Sequence, residues 1–440
     1  AATVAIYGDK HGLLDKPGWK SFAQIAKTAE RLRRNVNQAK LHSFRTKPMY
    51  MYGFLVPRNY GQALQYDQEN GNTKWFDATK RELNQIDEYK TFTNKGKGFH
   101  PGAEYKKIRC HLIFAVKHDG RHKARLVAGG HLTATPVDSV YSSVISLRGI
   151  RILTFIAELN GSDVWATDIG NAYLESYTHE KVFIVAGPEF GDQEGHTLII
   201  SKALYGLKSS GLRWSQRFAD VLRFEGFFPS RAETDIWMRE KNGIYEYIGV
   251  YVDDLLIVSK APQDIIDVLE NVHHFNLKGS GPIKFHLGCD YFRDKDGVLC
   301  YAPLKYIEKM LDNYKRIFGK MPTKAASPLE SGDHPELDVS ELLNFNKIQI
   351  YQSLIGALQW VIQIGRFDVA TAVMTMSRFR ASPRIGHMER IQRIHGYISK
   401  MRHGILRIRT EEPDDSDIPV KQYDWEYTWY RGAKELIPTD

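Results

Sequence analysis

Long apolar runs are missing from this chain. None of its 440 residues lies in a stretch of about 18 apolar residues, so no membrane span is expected. No basic segment followed by an apolar core and a small-residue cleavage site opens it, so no secretory leader is expected either. Cysteine is scarce. Cys110, Cys289 and Cys300 share no CxxC spacing, which argues against a zinc site and a disulfide scaffold and suits a reducing compartment. No segment repeats with a period of about 20–50 residues, which sets aside solenoids and propellers. Neither charge sign dominates. The net charge of +8 permits a polyanionic partner without requiring one. What remains is an ordinary globular composition, 42% apolar and 25% charged, with length for about two to four domains. The first residue is Ala1 rather than Met, as in a processed product or a trimmed chain.

Local patterns give a coarse order of elements. Residues 20–47, KSFAQIAKTAERLRRNVNQAKLHSFRTK, are basic. A helix with a cationic face is expected there, either solvated on the body or touching nucleic acid. Residues 71–90 read as a capped amphipathic helix with Trp75, Ala78, Leu83 and Ile86 inward. Residues 108–130 read as a hairpin that turns at Asp119 and Gly120 and carries Lys117, Arg121, Lys123 and Arg125. A helix over 143–160 follows, which Gly161 can end. Then come a strand VWATDIG, a helix near 212–225, a hairpin over 245–259, a helix over 262–274 and a hairpin within 283–302. Helices dominate from 303 on. The stretch after about 405 is acidic and aromatic and reads as an extended strap or linker.

The chemistry lies in YIGVYVDDLLIVSK, residues 247–260. An apolar run of this kind is a buried strand pair, yet Asp253 and Asp254 interrupt it. A lone Asp-Asp is commonly a turn or a cap, but caps rarely interrupt such runs. Carboxylates a few ångströms apart repel, and one of them is expected to titrate high. A divalent cation removes the conflict, and Mg²⁺ favours sites with one or two carboxylates, waters and substrate phosphates. Asp168 ends the short apolar strand in VWATDIGNAYLE and is the candidate third acid. Such a set suits two-metal phosphoryl transfer, with ions about 3.5–4 Å apart.

These residues are also where a family resemblance enters. The chain resembles the reverse transcriptases of copia-type LTR retrotransposons and, more distantly, the retroviral enzymes. YVDD (251–254) is similar to the polymerase Tyr-x-Asp-Asp box, and TDIGNAY (167–173) to the first carboxylate motif. KALYGLKSSGLRW (202–214), HKARLVAGG (122–130), FHLGCDY (285–291) and the helical segment 351–379 resemble further family stretches in the family's order. The resemblance covers about residues 70–405. It implies an α+β right-hand polymerase of fingers, palm and thumb, with an antiparallel palm sheet backed by helices. The implied division is a basic extension (1–60), fingers and the start of the palm (61–160), and palm (161–302). The palm holds a fingers insertion near 178–211 and a primer grip near 283–302. A helical thumb or connection (303–405) and a strap (406–440) toward an RNase H complete it.

The resemblance implies roles residue by residue. Asp168, Asp253, Asp254 and the main chain of Ile169 would hold Mg²⁺, with Mn²⁺ able to substitute. Lys117, Lys123, Arg125, Tyr173, Tyr205 and Gly206 would bind the nucleotide, Tyr173 excluding a 2′-hydroxyl. Lys208, Tyr251, Leu287, Gly288, Lys305 and Lys309 would meet primer and template. Lys278 is a weak candidate for protonating pyrophosphate against the plainer role of a surface lysine. The implied activity is RNA-directed DNA polymerisation, with an RNA template, an RNA/DNA or DNA/DNA primer-template duplex and deoxynucleoside triphosphates as partners. RNase H or integrase parts of the same polyprotein are expected partners, and a homodimer stays open. The implied place is the cytoplasm, within virus-like particles, with no membrane partner. The alternative is a catalytically silent nucleic-acid-binding subunit or scaffold. An RNA-templated RNA polymerase is the weaker rival, since Tyr173 speaks against admitting ribose.

Overall fold

The computed structural model describes residues 49–412, apart from 52–53, 118–119 and 134–139, together with Ser416. The basic stretch at 20–47, most of the 1–60 extension and most of the tail after 412 lie outside the described residues. In chain order the elements are β1 (Met49–Met51), β2 (Phe54–Val56), helices α1 (Tyr60–Glu69) and α2 (Lys74–Glu88), then β3 (Phe92–Lys97), β4 (Lys106–Lys107), β5 (Cys110–Val116) and β6 (His122–Ala128). Next come α3 (Leu147–Asn160), β7 (Asp163–Ile169), β8 (Val182–Val185), β9 (His196–Ile200) and α4 (Ser210–Phe224). They are followed by β10 (Phe228–Pro229), β11 (Ile236–Lys241), β12 (Ile244–Tyr251), β13 (Asp254–Ser259), α5 (Pro262–Asp267) and β14 (Leu277–Pro282). The last are β15 (Phe285–His286), β16 (Cys289–Arg293), β17 (Leu299–Ala302), α6 (Leu304–Phe318), α7 (Phe345–Gln363), α8 (Ala370–Ser377), α9 (Ile385–Lys400) and β18 (Leu406–Arg407). No described helix is long and apolar enough to cross a membrane.

Two compact units divide the chain, 1–142 with 171–219 and 143–170 with 220–440. The first unit is built on the β5–β6 hairpin and a four-stranded sheet in the order β3-β9-β8-β4. Helix α2 begins where the Asp67 carboxylate accepts the free N–H groups of Trp75 and Phe76, at 3.0 and 2.8 Å. Its buried stripe of Trp75, Ala78 and Ile86 packs with Leu112, Phe114 and Leu126 of the hairpin in one core. Strand alternation then leaves Lys117, Arg121, Lys123 and Arg125 together on the opposite hairpin face. The expected helix at 71–90 and the hairpin at 108–130 are both present, with ends shifted by a few residues.

The second unit holds a six-stranded antiparallel sheet in the order β10-β11-β12-β13-β7-β14. Helix α3 starts at Leu147, later than expected, because the Ser146 side chain caps it through the N–H of Gly149 at 3.0 Å. It ends at Gly161, whose φ of 57° is the left-handed cap that glycine adopts freely. Ile150, Leu153 and Ala157 of this helix pack with Val164, Leu256 and Val258 of the sheet. A four-stranded sheet, β15-β16-β17-β18, and a core from helices α6 to α9 complete the unit. Several strands lie where none was expected, β8 to β11 among them, and two more show why. β14 (LKGSGP) is glycine-rich and sits at a sheet edge with an irregular register, where its poor strand propensity is tolerated. β18 has two residues and turns the start of the expected strap into sheet. The helix expected over 262–274 is a short α-helix to Asp267 followed by a π-turn, Val268–Val272.

Candidate active site

Pairing of Tyr251 with Asp254 leaves Val252 and Asp253 as a two-residue loop between β12 and β13. Val252 has φ of 58° while Asp253 does not, the pattern of a type II′ turn, which ordinarily carries glycine at its first central position. A β-branched residue there is strained by about 1–3 kcal/mol. The fold holds this turn because β13 beyond Asp254 is buried between its neighbours, Leu255, Leu256 and Ile257 being inaccessible.

Register then selects the acids that meet. On the other side of β13 runs β7, with Asp254 directly opposite Asp168. The Ile169 N–H donates to the Asp253 carbonyl at 2.8 Å, so Asp168 and Asp254 occupy the adjacent position, where cross-strand side chains come closest. On its far side β7 pairs with β14, and Lys278 stands opposite Asp168. Its ammonium lies over Gly170, where an added Cβ would sit 2.6 Å from Nζ. The Asp254 carboxyl is pushed up to about 6. Burial leads, and the two neighbouring acids, Asp253 and Asp168, add to it. Among the described residues, no three histidine, cysteine or acidic side chains form a metal cage by themselves. The facing pair matches instead the one or two carboxylates that Mg²⁺ takes when waters and phosphates complete its shell.

The first unit gathers most of the residues expected at the nucleotide. The Tyr173 and Tyr205 rings are 5.1 Å apart at 51°, and the Arg125 guanidinium stands 5.7 Å from the Tyr205 ring centre. Lys123 shares the face of Arg125, and Lys117 is exposed at the hairpin end. Gly206 has φ of 93°. A Cβ there would run into the Ala128 carbonyl and lie 2.6 Å from Val127 Cγ1. This close approach lets the Ala128 N–H donate to the Tyr205 carbonyl at 2.7 Å. Gly130 answers it from the other side, since its own Cβ would meet the Gly206 carbonyl. Lys208 donates to the Thr133 carbonyl at 2.7 Å.

Of the residues expected at primer and template, Lys208 lies in the first unit and the other five in the second. Leu287 and Gly288 fill a two-residue turn between His286 and Cys289, both with positive φ, as in a type I′ turn. Leucine at φ of 43° is a second strained position. Tyr251 is half-buried against the core under the six-stranded sheet. Lys305 has an internal partner, Asp290 at 3.0 Å, and lies 4.9 Å from the Phe285 ring centre. Lys309 has Asp312 three residues on along its helix, so that face is not a uniform cationic stripe. Three features escaped the sequence: Lys278 beside Asp168, the Gly130–Gly206 contact, and the strain at Val252. The first two join segments far apart in the chain. The third was legible as a valine where a two-residue turn asks for glycine.

A mixed α/β fold of antiparallel sheets with acids paired at a hairpin turn is compatible with a reverse transcriptase. The family described as reverse transcriptase (RNA-dependent DNA polymerase) matches residues 100–323, just over half of the chain, and the chain belongs to that family. It is 28% identical over 310 residues to the retrovirus-related Pol polyprotein from transposon RE1 of Arabidopsis thaliana, covering 68% of this chain and 21% of that protein. It is 26% identical over 358 residues to the corresponding protein from transposon TNT 1-94 of Nicotiana tabacum, covering 78% and 26%. It is 26% identical over 249 residues to the putative transposon Ty5-1 protein of Saccharomyces cerevisiae, covering 55% and 78%. The chain thus spans about a fifth to a quarter of the two plant polyproteins. The resemblance to copia-type Pol proteins holds over the reverse transcriptase region.

Proposed function

We propose that this chain is an RNA-directed DNA polymerase that adds deoxynucleotides to a primer 3′-hydroxyl on an RNA or DNA template. The observation that carries this is the facing pair Asp168 and Asp254, with Asp253 held in the strained turn beside them. Oxygen-only donors suit Mg²⁺, with Mn²⁺ as substitute. Such ions, held by Asp168, Asp253, Asp254 and the Ile169 carbonyl, would supply the charge that activates the primer hydroxyl and neutralises departing pyrophosphate. Burial and the neighbouring acids raise the Asp254 carboxyl, so a cation at this position would relieve the repulsion. Lys278, opposite Asp168, offsets negative charge from the other side of β7.

Lys117, Lys123 and Arg125 would take the triphosphate, a role their shared solvent face supports. Tyr173 would lie under the sugar, with Tyr205 and Gly206 shaping the same loop. Lys208, Tyr251, Leu287, Gly288, Lys305 and Lys309 would meet primer and template. The first unit would then carry fingers, and the second palm and thumb. The plant relatives are named as Pol polyproteins, which supports work within a longer polyprotein; a place in cytoplasmic virus-like particles beside RNase H and integrase parts would extend that reading.

Primer extension on primed RNA, with deoxy- or ribonucleotides, tests this. Extension with deoxynucleotides alone, abolished in Asp254→Asn while primer–template binding persists, is the expected outcome. Equal extension by the Asn variant would overturn the site. Binding without extension by the unaltered chain would identify a silent scaffold.

A further inference from the structure

We propose that a groove in the first unit, between helix α2 and the loop 188–193, is a docking site for an arginine-bearing peptide segment of a partner protein. The groove has a volume of about 580 Å³, within the range of ligand sites. One wall is a single face of α2, with Phe76, Lys80, Leu83 and Asp87 at helical spacing. The other is Phe92 of β3 with Glu189 and Phe190 of the loop, and Tyr60 at the start of α1 adds a further ring. Phe92 and Phe190 meet edge to face, their centroids 5.8 Å apart. Tyr60, Phe92 and Phe190 pack against the core with one side and keep part of their surface open to the groove. Phe76 is 40% exposed, and Tyr60, Phe92 and Phe190 are each half-buried.

The charge of the groove runs against that of the chain. Among the described residues that line it, Asp87, Glu189 and Asp192 stand against one cation, Lys80, in a protein of net charge +8. Glu189 is near enough to Tyr60 that, after burial, its charge is what holds the phenol proton more tightly. A phosphate backbone is repelled here, so this is not a nucleic-acid channel. Aromatic faces beside carboxylates recognise a planar cation. A guanidinium stacks on a ring and donates up to five N–H groups to forked acceptors. The wall from Phe76 to Asp87 spans about 16 Å at 1.5 Å per residue, room for about five residues of extended chain. That length favours a peptide over a free cation. The site is separate from the nucleotide residues, because Lys117, Lys123 and Arg125 sit on the hairpin face turned away from the core that α2 shares.

The test is fluorescence anisotropy on the full chain with a labelled LRRLRL peptide and its citrulline counterpart, which keeps shape and removes charge. Arginine peptide should bind at least about 10-fold tighter than citrulline peptide. Glu189→Gln and Phe190→Ala should each weaken it about fivefold or more with unchanged primer extension, and Glu189→Gln should also leave thermal unfolding unchanged. Asp254→Asn should leave it unchanged. Equal binding of the two peptides would refute the proposal, as would full affinity in Glu189→Gln, a substitution that preserves the shape of the groove. Displacement by spermidine at the peptide's own concentration would refute the peptide assignment.

Discussion

Replacing Asp254 by asparagine should stabilise the metal-free protein while destroying its activity. The carboxyl sits at about 6 against an ordinary 3.8, raised by burial first and then by Asp253 and Asp168. A raised acid binds its proton more tightly in the folded state than in the unfolded one. It therefore penalises the fold fully above about pH 6, and the penalty fades to nothing as pH falls below 3.8. At about 1.36 kcal/mol per pKa unit the gap amounts to about 3 kcal/mol. Asp254 is partly solvated, and screening reduces this to about 1–2 kcal/mol. Asparagine keeps the shape and removes the charge. The assay is denaturant unfolding of both proteins in EDTA at about pH 8 and about pH 4, taking the difference in midpoint free energy. The Asn variant should be more stable by about 1–2 kcal/mol at the higher pH, and the two should converge at the lower. Millimolar Mg²⁺ should narrow the gap at about pH 8, because the protein with the full acid set binds the ion more tightly than the variant. A variant of equal or lower stability at about pH 8 would show that the acids are not in conflict, and the electrostatic case for a cation site would go with it.

Tyr173→Ala should admit ribonucleotides, costing roughly 10- to 200-fold in sugar discrimination, as measured by single-nucleotide insertion on one primed RNA. Unchanged selectivity would make Tyr173 a packing residue for Tyr205. Arg125→Ala should raise the KM for deoxynucleotides and leave duplex affinity and its salt slope alone; weakened duplex binding at constant KM would reverse that assignment. Gly206→Ala should destabilise the first unit by at least about 2 kcal/mol, since it adds a left-handed backbone penalty to a collision with the Ala128 carbonyl. An unfolding midpoint equal to wild type would show that the loop yields there.

Much of the second unit was legible in the order of residues. Apolar periodicity marked α3, β12, β13 and helices α6 to α9, because each buries one continuous stripe. Asp253 and Asp254 stood out since charges interrupting such a stripe need a reason. The residues of β14 carry no such stripe, so their pairing with β7 was not visible, nor was the placement of Lys278 beside Asp168. Those two residues are far apart in the chain, and only a shared hydrogen-bond register joins them.

Residue order alone was enough to mark Asp168, Asp253 and Asp254 as candidates, the hairpin that bears two of them, the basic residues from Arg121 to Arg125 and the family. All are local patterns, carried by neighbours along the chain. Tertiary structure alone decided that Asp254, rather than Asp253, faces Asp168. A one-residue slip would have turned the other acid inward, and register is set by the burial of Leu255, Leu256 and Ile257, which no single strand specifies. It also decided that Arg125, Tyr205 and Tyr173 meet, and that an acidic aromatic groove opens on a basic protein. Those depend on how separate segments pack, and packing is a property of the whole core rather than of any stretch within it.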